Sequence, residues 1–411
     1  MPSDVVRRKI SLSAIEYRAT PFESFGRLRE LGPVVPAKIS VVGDVWLITT
    51  FDAVAEALKD DEKFCREPKN AGKSYAWLKF LVPGVFRGLI NNMIAKDEPD
   101  HRRLRSLADE AFQRQEVESL RSKIEQFTDQ ALDEIERTAK RDGSVDLLKH
   151  LSRPVPLAAI CELLGLPEED RPKFRKWFSN FADVNSAWGI PKIVPGLWRT
   201  MRYLEGQFAV VKANPRPGLM SELIQSEQSG DKLNDEELLA MVTLLLLAGH
   251  ETTVHLINTS ILTLLQLDDV RESLASDWTR IDDCVEEMLR FNSPVQFTKP
   301  RFVARDTEFY GQSMSRGDLI LPVLASANSD PDRFENPTQF DMNRDKNFHL
   351  AFGYGPHVCL GLKLARLETA VVLERLFRRF PNTKPAFDVN HPPWSRRMGM
   401  RSVSQLRVRL G

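Results

Sequence analysis

The run FGYGPHVCLG, Phe352 to Gly361, sets a cysteine, a histidine, a proline and three glycines in ten positions. Downstream of it the sequence CLGLKLARLETAVVLERLF has helical period, so the Cys359 sulfur is expected at a helix N-terminus. Free N–H groups and the helix dipole there favour thiolate over thiol. Gly353, Gly355 and Pro356 make a tight loop, and Gly361 lets a flat body approach the backbone. His349, His357 and Cys359 also suggest zinc, but tetrahedral sites usually use paired ligands and no second pair follows. A buried, inert thiol is the ordinary alternative for a single cysteine. The glycine density argues against it.

A second polar constellation, AGHETT, spans Ala248 to Thr253 inside an otherwise apolar stretch. Glycine in a helix interior costs about 1 kcal/mol relative to alanine. Buried Glu251 and Thr252 need partners or a purpose. Thr252 can bond back to the Ala248 carbonyl and Glu251 can have a structural partner, and that reading stays open. One ligand serves both places: an iron macrocycle held by the Cys359 thiolate, lying flat between loop and helix. Ala248 and Gly249 would be small because the ring lies against them, and Thr252, on the face of Ala248, would point at the open side of the iron.

The elements that must carry these groups are mostly helical. Period places helices at 116–141, 235–266, 281–291 and 359–380. In the longest of them Asn234 is the cap and Glu237 the capping-box partner. VVGDVWLITT, 41–50, reads as strands with Gly43-Asp44 as the turn, and 302–328 as short strands turning at Gly311 and Gly317. No repeat or Gly/Ser linker divides the 411 residues, so the expectation is one mainly α domain, 1–411, with a small β-rich lobe. Lys plus Arg equals Asp plus Glu at 57 each, which gives nucleic-acid binding no support. Cys65, Cys161, Cys284 and Cys359 show no paired spacing, as in a reducing cytoplasm. The first residues lack the apolar core of a signal peptide, and the apolar run 238–249 falls short of the roughly 20 residues a membrane span needs. A cytoplasmic protein without a membrane anchor is expected.

At this point the chain resembles the cytochrome P-450 family of haem-thiolate monooxygenases. Phe352, Gly355, His357, Cys359 and Gly361 match its cysteine-loop pattern, AGHETT its oxygen-activation stretch, and Glu287 with Arg290 in EEMLR its Glu-x-x-Arg pair. FDMNR supplies Arg344 as third member of that network, and ANSDPDRFENPTQFD is also typical. His101 and Arg105 in HRRLR, and Arg301 in RFVARD, look like the family's propionate ligands. Glu251 stands where many members have Asp, which keeps a carboxylate, and Pro356 is an unusual neighbour of the histidine.

The resemblance implies the P-450 fold, with haem b (iron protoporphyrin IX) between the long helix and the cysteine loop. Cys359 would be the metal ligand, and His101, Arg105, Ala248, Gly249, Arg301, Phe352, Gly353, His357 and Gly361 would contact the cofactor. Glu287, Arg290 and Arg344 would hold the loop. The implied reaction inserts one atom of O₂ into an apolar substrate (terpenoid, steroid, fatty acid or aromatic), with Thr252 and Glu251 delivering protons. Neither CxxC nor a glycine-rich nucleotide motif is present, so electrons would come from a separate ferredoxin served by an NAD(P)H-dependent reductase. Arg102, Arg103, Arg114, Lys363 and Arg366 could receive it, or form a plain solvated surface. Trp77, Phe80, Trp177, Phe181, Trp188 and Trp198 enrich the segments where the family builds its pocket. Val295, Gln296 and Phe297 would border the distal side, with Gln296 orienting a polar group. A ligand-binding haem sensor, and an isomerase or peroxygenase needing no ferredoxin, stay open.

Overall fold

In the computed structural model, which describes residues 8–39, 42–74, 92–178, 190–226, 232–345 and 347–411, the long helix is Asp235–Gln266. Its cap is reciprocal. The Glu237 N–H donates to Asn234 Oδ1 at 2.9 Å and the Asn234 N–H to Glu237 Oε2 at 3.1 Å. By length and composition this helix could cross a membrane, but 67% of its most apolar window is buried, as in the core helix of a soluble protein. The other periodic stretches become helices Arg121–Asp142, preceded by a 3₁₀ turn Val117–Leu120, then Ile281–Asn292 and Leu362–Arg379.

The chain forms two compact units, each drawn from separate stretches of sequence. The first comprises Met1–Tyr75, Asn258–Leu362 and Phe387–Ser404. It holds a six-stranded sheet in the order Arg8–Lys9, Val34–Ile39, Gly43–Ile48, Leu319–Pro322, Arg301–Val303, Phe64–Cys65. Val45, Trp46, Leu47 and Ile48 are all 0% exposed. Trp46 and Ile48 join one apolar cluster with Phe51, Phe64 and Phe334, while Val45 and Leu47 join another with Phe25 and Leu321. Both faces of this strand are therefore covered, as the period-2 geometry of a strand requires. Gly43 is not a turn residue: it opens the strand and pairs with Ile39. Val34–Ile39 carries Pro36 opposite Trp46 and gave no clear strand signal. The turns at Gly311 and Gly317 lie where expected, between Thr307–Phe309 and Gln312–Met314 and just before Leu319.

The second unit comprises Ala76–Ile257, Lys363–Ala386 and Gln405–Gly411. Helix Arg121–Asp142 buries Ile124, Phe127, Thr128, Ala131, Leu132 and Ile135, a stripe at three- and four-residue spacing. A three-stranded sheet orders Lys384–Pro385, Arg407–Arg409 and Val145–Asp146. The long helix contributes its residues up to Ile257 to this unit and the remainder to the first.

Candidate active site

In the first unit the cysteine loop is closed by backbone bonds. The Gly353 N–H donates to the Leu350 carbonyl at 2.9 Å, a 3₁₀ turn covers Gly355–His357, and the Cys359 N–H donates to the Phe352 carbonyl at 3.0 Å. The following helix starts at Leu362, three residues later than its period suggested, so Cys359 stands in the approach to the helix and not at its first turn. Cys359 is half-buried, whereas Cys65, Cys161 and Cys284 are buried. Burial pushes the Cys161 and Cys284 thiols up to about 12. A side chain at Gly361 would meet nothing within 4 Å, so the loop leaves room for a flat body there.

Gly355 has φ +74°, and a Cβ on it would lie 2.8 Å from the Leu58 carbonyl oxygen. Gly353 has a similar φ of +73°, but its Cβ would meet nothing closer than 3.9 Å. Gly353→Ala should therefore lose only the conformational preference, about 1–2 kcal/mol. Gly355→Ala adds a backbone clash that no rotamer relieves, so its melting temperature should fall clearly further. Equal losses in the two variants would show that the loop does not press on helix Phe51–Lys59.

Glu287, Arg290 and Arg344 are brought together. Arg290 donates to Glu287 at 2.7 and 2.8 Å with both side chains fully buried, and Arg344 Nε reaches Glu287 Oε2 at 3.3 Å. The Asn347 amide and the Asp341 N–H also donate to Glu287, while Arg290 reaches the carbonyls of Asn328, Pro337 and Gln339. Asn328 carries the network onward: its Oδ1 accepts the Leu350 N–H at 2.6 Å, and the Leu350 carbonyl holds Gly353. The buried ions are thus tied by consecutive hydrogen bonds to the base of the cysteine loop. Asn328 and Asn347 escaped the sequence reading, although Asn328 lies in ANSDPDRFENPTQFD.

Arg301 is fully buried and donates to Asp61 at 2.9 Å and to the carbonyls of Ala57, Leu58 and Phe64. Val295 forms a β-bridge with Met400, and the Gln296 N–H donates to the Gly399 carbonyl. The Gln296 side chain departs from expectation. It is 1% exposed and its Nε2 donates to the Tyr17 carbonyl at 2.6 Å, so it anchors backbone and does not present a polar group to a guest. A Cβ on Gly399, where φ is +79°, would touch the Phe297 ring at 3.1 Å. The segment Trp394–Val403 thus backs Val295 and Phe297. Its sequence carries no period that would mark this role.

In the second unit, His101 and Arg105 lie one turn apart on helix Asp100–Arg114. His101 Nδ1 is 3.4 Å from Glu98, and Arg105 Nε is 3.0 Å from Asp109. On the long helix Ala248 is exposed, and Leu244, Leu247, Glu251 and Thr252 are half-buried, while most of the residues around them are buried. This opened stripe recurs at three- and four-residue spacing, so it is one face. Small or apolar groups with one acid and one hydroxyl suit the flat, largely apolar body of a haem. Both structural partners left open by the sequence are present. Thr252 Oγ1 donates to the Ala248 carbonyl at 2.7 Å, and Glu251 Oε1 lies 3.2 Å from His255 Nε2. With its only proton so used, the Thr252 hydroxyl keeps lone pairs for an incoming donor. Gly249 has another reason for its size than a bound ring: a Cβ would come within 3.1 Å of Ile160 Cδ1 on helix Pro154–Leu164.

Trp77, Phe80, Phe181 and Trp188 lie outside the described residues. Trp177 packs edge-on against Phe174 and Tyr203, and Trp198 is 47% exposed. Of the cations offered to a redox partner, Arg102 pairs with Glu98, Arg103 with Glu237, and Arg114 with Glu110 and Glu222, which weakens their field. Among the described residues no three His, Cys, Asp or Glu side chains gather as a metal-binding group.

The family model described as Cytochrome P-450 matches residues 199–400. The polyketide biosynthesis cytochrome P-450 PksS of Bacillus subtilis (strain 168) is 36% identical over 96% of this chain and 97% of its own. The solved structure of that bacillaene synthase enzyme has a TM-score of 0.87 at 35% identity, covering 97% of this chain and 99% of its own. A myxobacterial cytochrome P-450, CYP267B1, solved in complex with myristic acid, has a TM-score of 0.86 at 31% identity, covering 97% and 98%. The chain belongs to the cytochrome P-450 family and is an oxygen-incorporating oxidoreductase of the haem-thiolate type.

Proposed function

We propose that this protein is a cytoplasmic, single-domain monooxygenase that binds haem b through Cys359 and oxidises an apolar substrate with electrons from a separate ferredoxin and reductase. The observation that carries the reading is that Cys359, alone of the four cysteines, is not buried and is fixed in a backbone-closed loop. His101, Arg105, Arg301 and His357 are the cations and donors for the propionates. The relatives that act in polyketide biosynthesis or hold myristic acid support a large or long-chain apolar substrate.

Bound haem iron supplies the activation of O₂. The chain's own part is to govern protons and water. Glu251 is the acid on the opened face and Thr252 the acceptor beside it. The Thr252 bond to the Ala248 carbonyl fixes the hydroxyl rotor, so a proton donor arriving at that face finds a lone pair in a set direction. Leu244, Leu247 and Ala248 keep the rest of the face apolar, which limits stray water.

Thr252→Ala should still bind substrate and consume NADH with generic ferredoxin partners, but release more hydrogen peroxide and less oxygenated product. Glu251→Gln keeps the shape and removes the acid, so turnover should slow by up to about 10²-fold. The measurement is product and peroxide per NADH. Unchanged coupling in the first variant with an unchanged rate in the second would leave both side chains purely structural, as their bonds to Ala248 and His255 allow. No product from any substrate, with intact ligand binding, would favour a sensor.

A further inference from the structure

The buried middle of the long helix carries two histidines, His250 and His255, 8% and 5% exposed. A buried imidazole is unfavourable unless its nitrogens find partners. The threonines of the helix solve the same problem locally: Thr253 Oγ1 donates to the Gly249 carbonyl at 3.0 Å, as Thr252 does to Ala248. That solution belongs to short hydroxyl and amide side chains, so each imidazole must look elsewhere. The His250 ring stacks on Phe178 at 6.1 Å and 24° and bonds to the Arg153 backbone, and burial pushes its pKa down, which leaves it neutral. His255 meets the acid instead. Its Nε2 lies 3.2 Å from Glu251 Oε1, one turn away on the same helix and within the second unit.

The place of Glu251 gives that contact a consequence. Its side chain is 16% exposed and that of His255 7%, so the acid stands at the edge of the opened face with the imidazole on its buried side. When Glu251 gives up a proton at the face, it is left as a half-buried anion until solvent returns one. A desolvated carboxylate without a donor or positive charge beside it holds its proton too tightly to pass it on. The neutral His250 supplies no such charge, whereas an imidazole within ion-pair distance does. Packing alone would be served better by leucine, which the helix uses at the buried positions Leu246, Leu256 and Leu262.

We propose that His255 is the positioning residue for Glu251, setting where its carboxylate rests and how readily it releases a proton. The inference rests on the acid role of Glu251 proposed above. Its test is a double-mutant cycle of Glu251→Gln and His255→Leu on haem-loaded protein, read in two ways. Thermal melting reads the pair without turnover. His255→Leu should lower the melting temperature when Glu251 is present, and leave it unchanged or raise it in Glu251→Gln, where no anion needs an answer. NADH consumption with a generic ferredoxin pair and myristic acid reads the proton. His255→Leu alone should slow it about 10-fold, the effect of one charge-assisted contact, and should add nothing to Glu251→Gln. His255→Gln, which keeps a donor, should recover part of the rate, and it carries the cycle where the leucine variant does not fold. Equal effects of the His255 substitution in both backgrounds, in either readout, would overturn the proposal and leave the ring a packing role. A wild-type rate in His255→Leu beside a slow Glu251→Gln would overturn it too. A wild-type rate in Glu251→Gln would instead defeat the acid role itself.

Discussion

Cys359→Ser is expected to abolish the red-shifted Soret band of the reduced carbon monoxide complex, while serine at Cys65, Cys161 or Cys284 leaves it intact. The band needs a thiolate on iron, and a hydroxyl is far too weak an acid to replace it. The other thiols cannot take over. Cys161 and Cys284 are fully buried and held protonated by their surroundings, and the buried Cys65 thiol points to the Glu67 carbonyl at 3.7 Å. The spectrum is read on purified protein with equal haem. Retention of the band in Cys359→Ser would remove the ligand assignment, and with it the proposed role of the whole loop.

Glu287→Ala should yield little haem-loaded protein at all. Arg290 would stay buried with one fewer anion than it needs, and breaking such a pair costs about 3–5 kcal/mol, a large share of the 5–15 kcal/mol that holds a typical domain. Here Glu287 also accepts from Arg344, Asn347 and the Asp341 N–H, so its loss frees these three together with Arg290. Through Asn328 the disturbance reaches Leu350 and the base of the cysteine loop. Haem content and melting temperature are the readouts. Glu287→Gln, which keeps the shape and some of the bonds, should fall between wild type and alanine. Full haem content in Glu287→Ala with turnover specifically lost would contradict a supporting role and indicate a chemical one.

What could be read beforehand was local. The Asn234–Glu237 cap involves residues three apart, and the extent of the long helix follows from its own composition. The same holds for the pairing of Glu287 with Arg290 across one turn. The misreadings arose where chain outside the element itself decides. The helix after Cys359 starts late because the backbone is still closing the loop onto Phe352. Glycine before aspartate usually marks a turn, but the hairpin register set by Val34–Ile39 puts Gly43 in the strand. Asp61, the partner of Arg301, lies 240 residues away, and no spacing rule reaches that far. Gln296 looked available to a ligand because the Tyr17 carbonyl that engages it is equally remote.

The strand pairings bear on how the protein can be made. Gly43–Ile48 finds its second neighbour only in Leu319–Pro322, and Val145 pairs with Val408 almost at the chain's end. A ribosome delivers the N-terminal hairpin, with Trp46, Leu47 and Ile48, long before Ile320 and Leu321 exist. Until then a hydrophobic edge stands open, the kind of surface that recruits other nascent chains. Closing so long a loop also slows folding, since its entropy must be lost before the contacts form. The three-stranded sheet waits longer still, for Val408, and the six-stranded one is secured only once Leu319–Pro322 has been made. Its N-terminal strands depend on chaperone shelter, or on local hairpin stability, throughout most of translation.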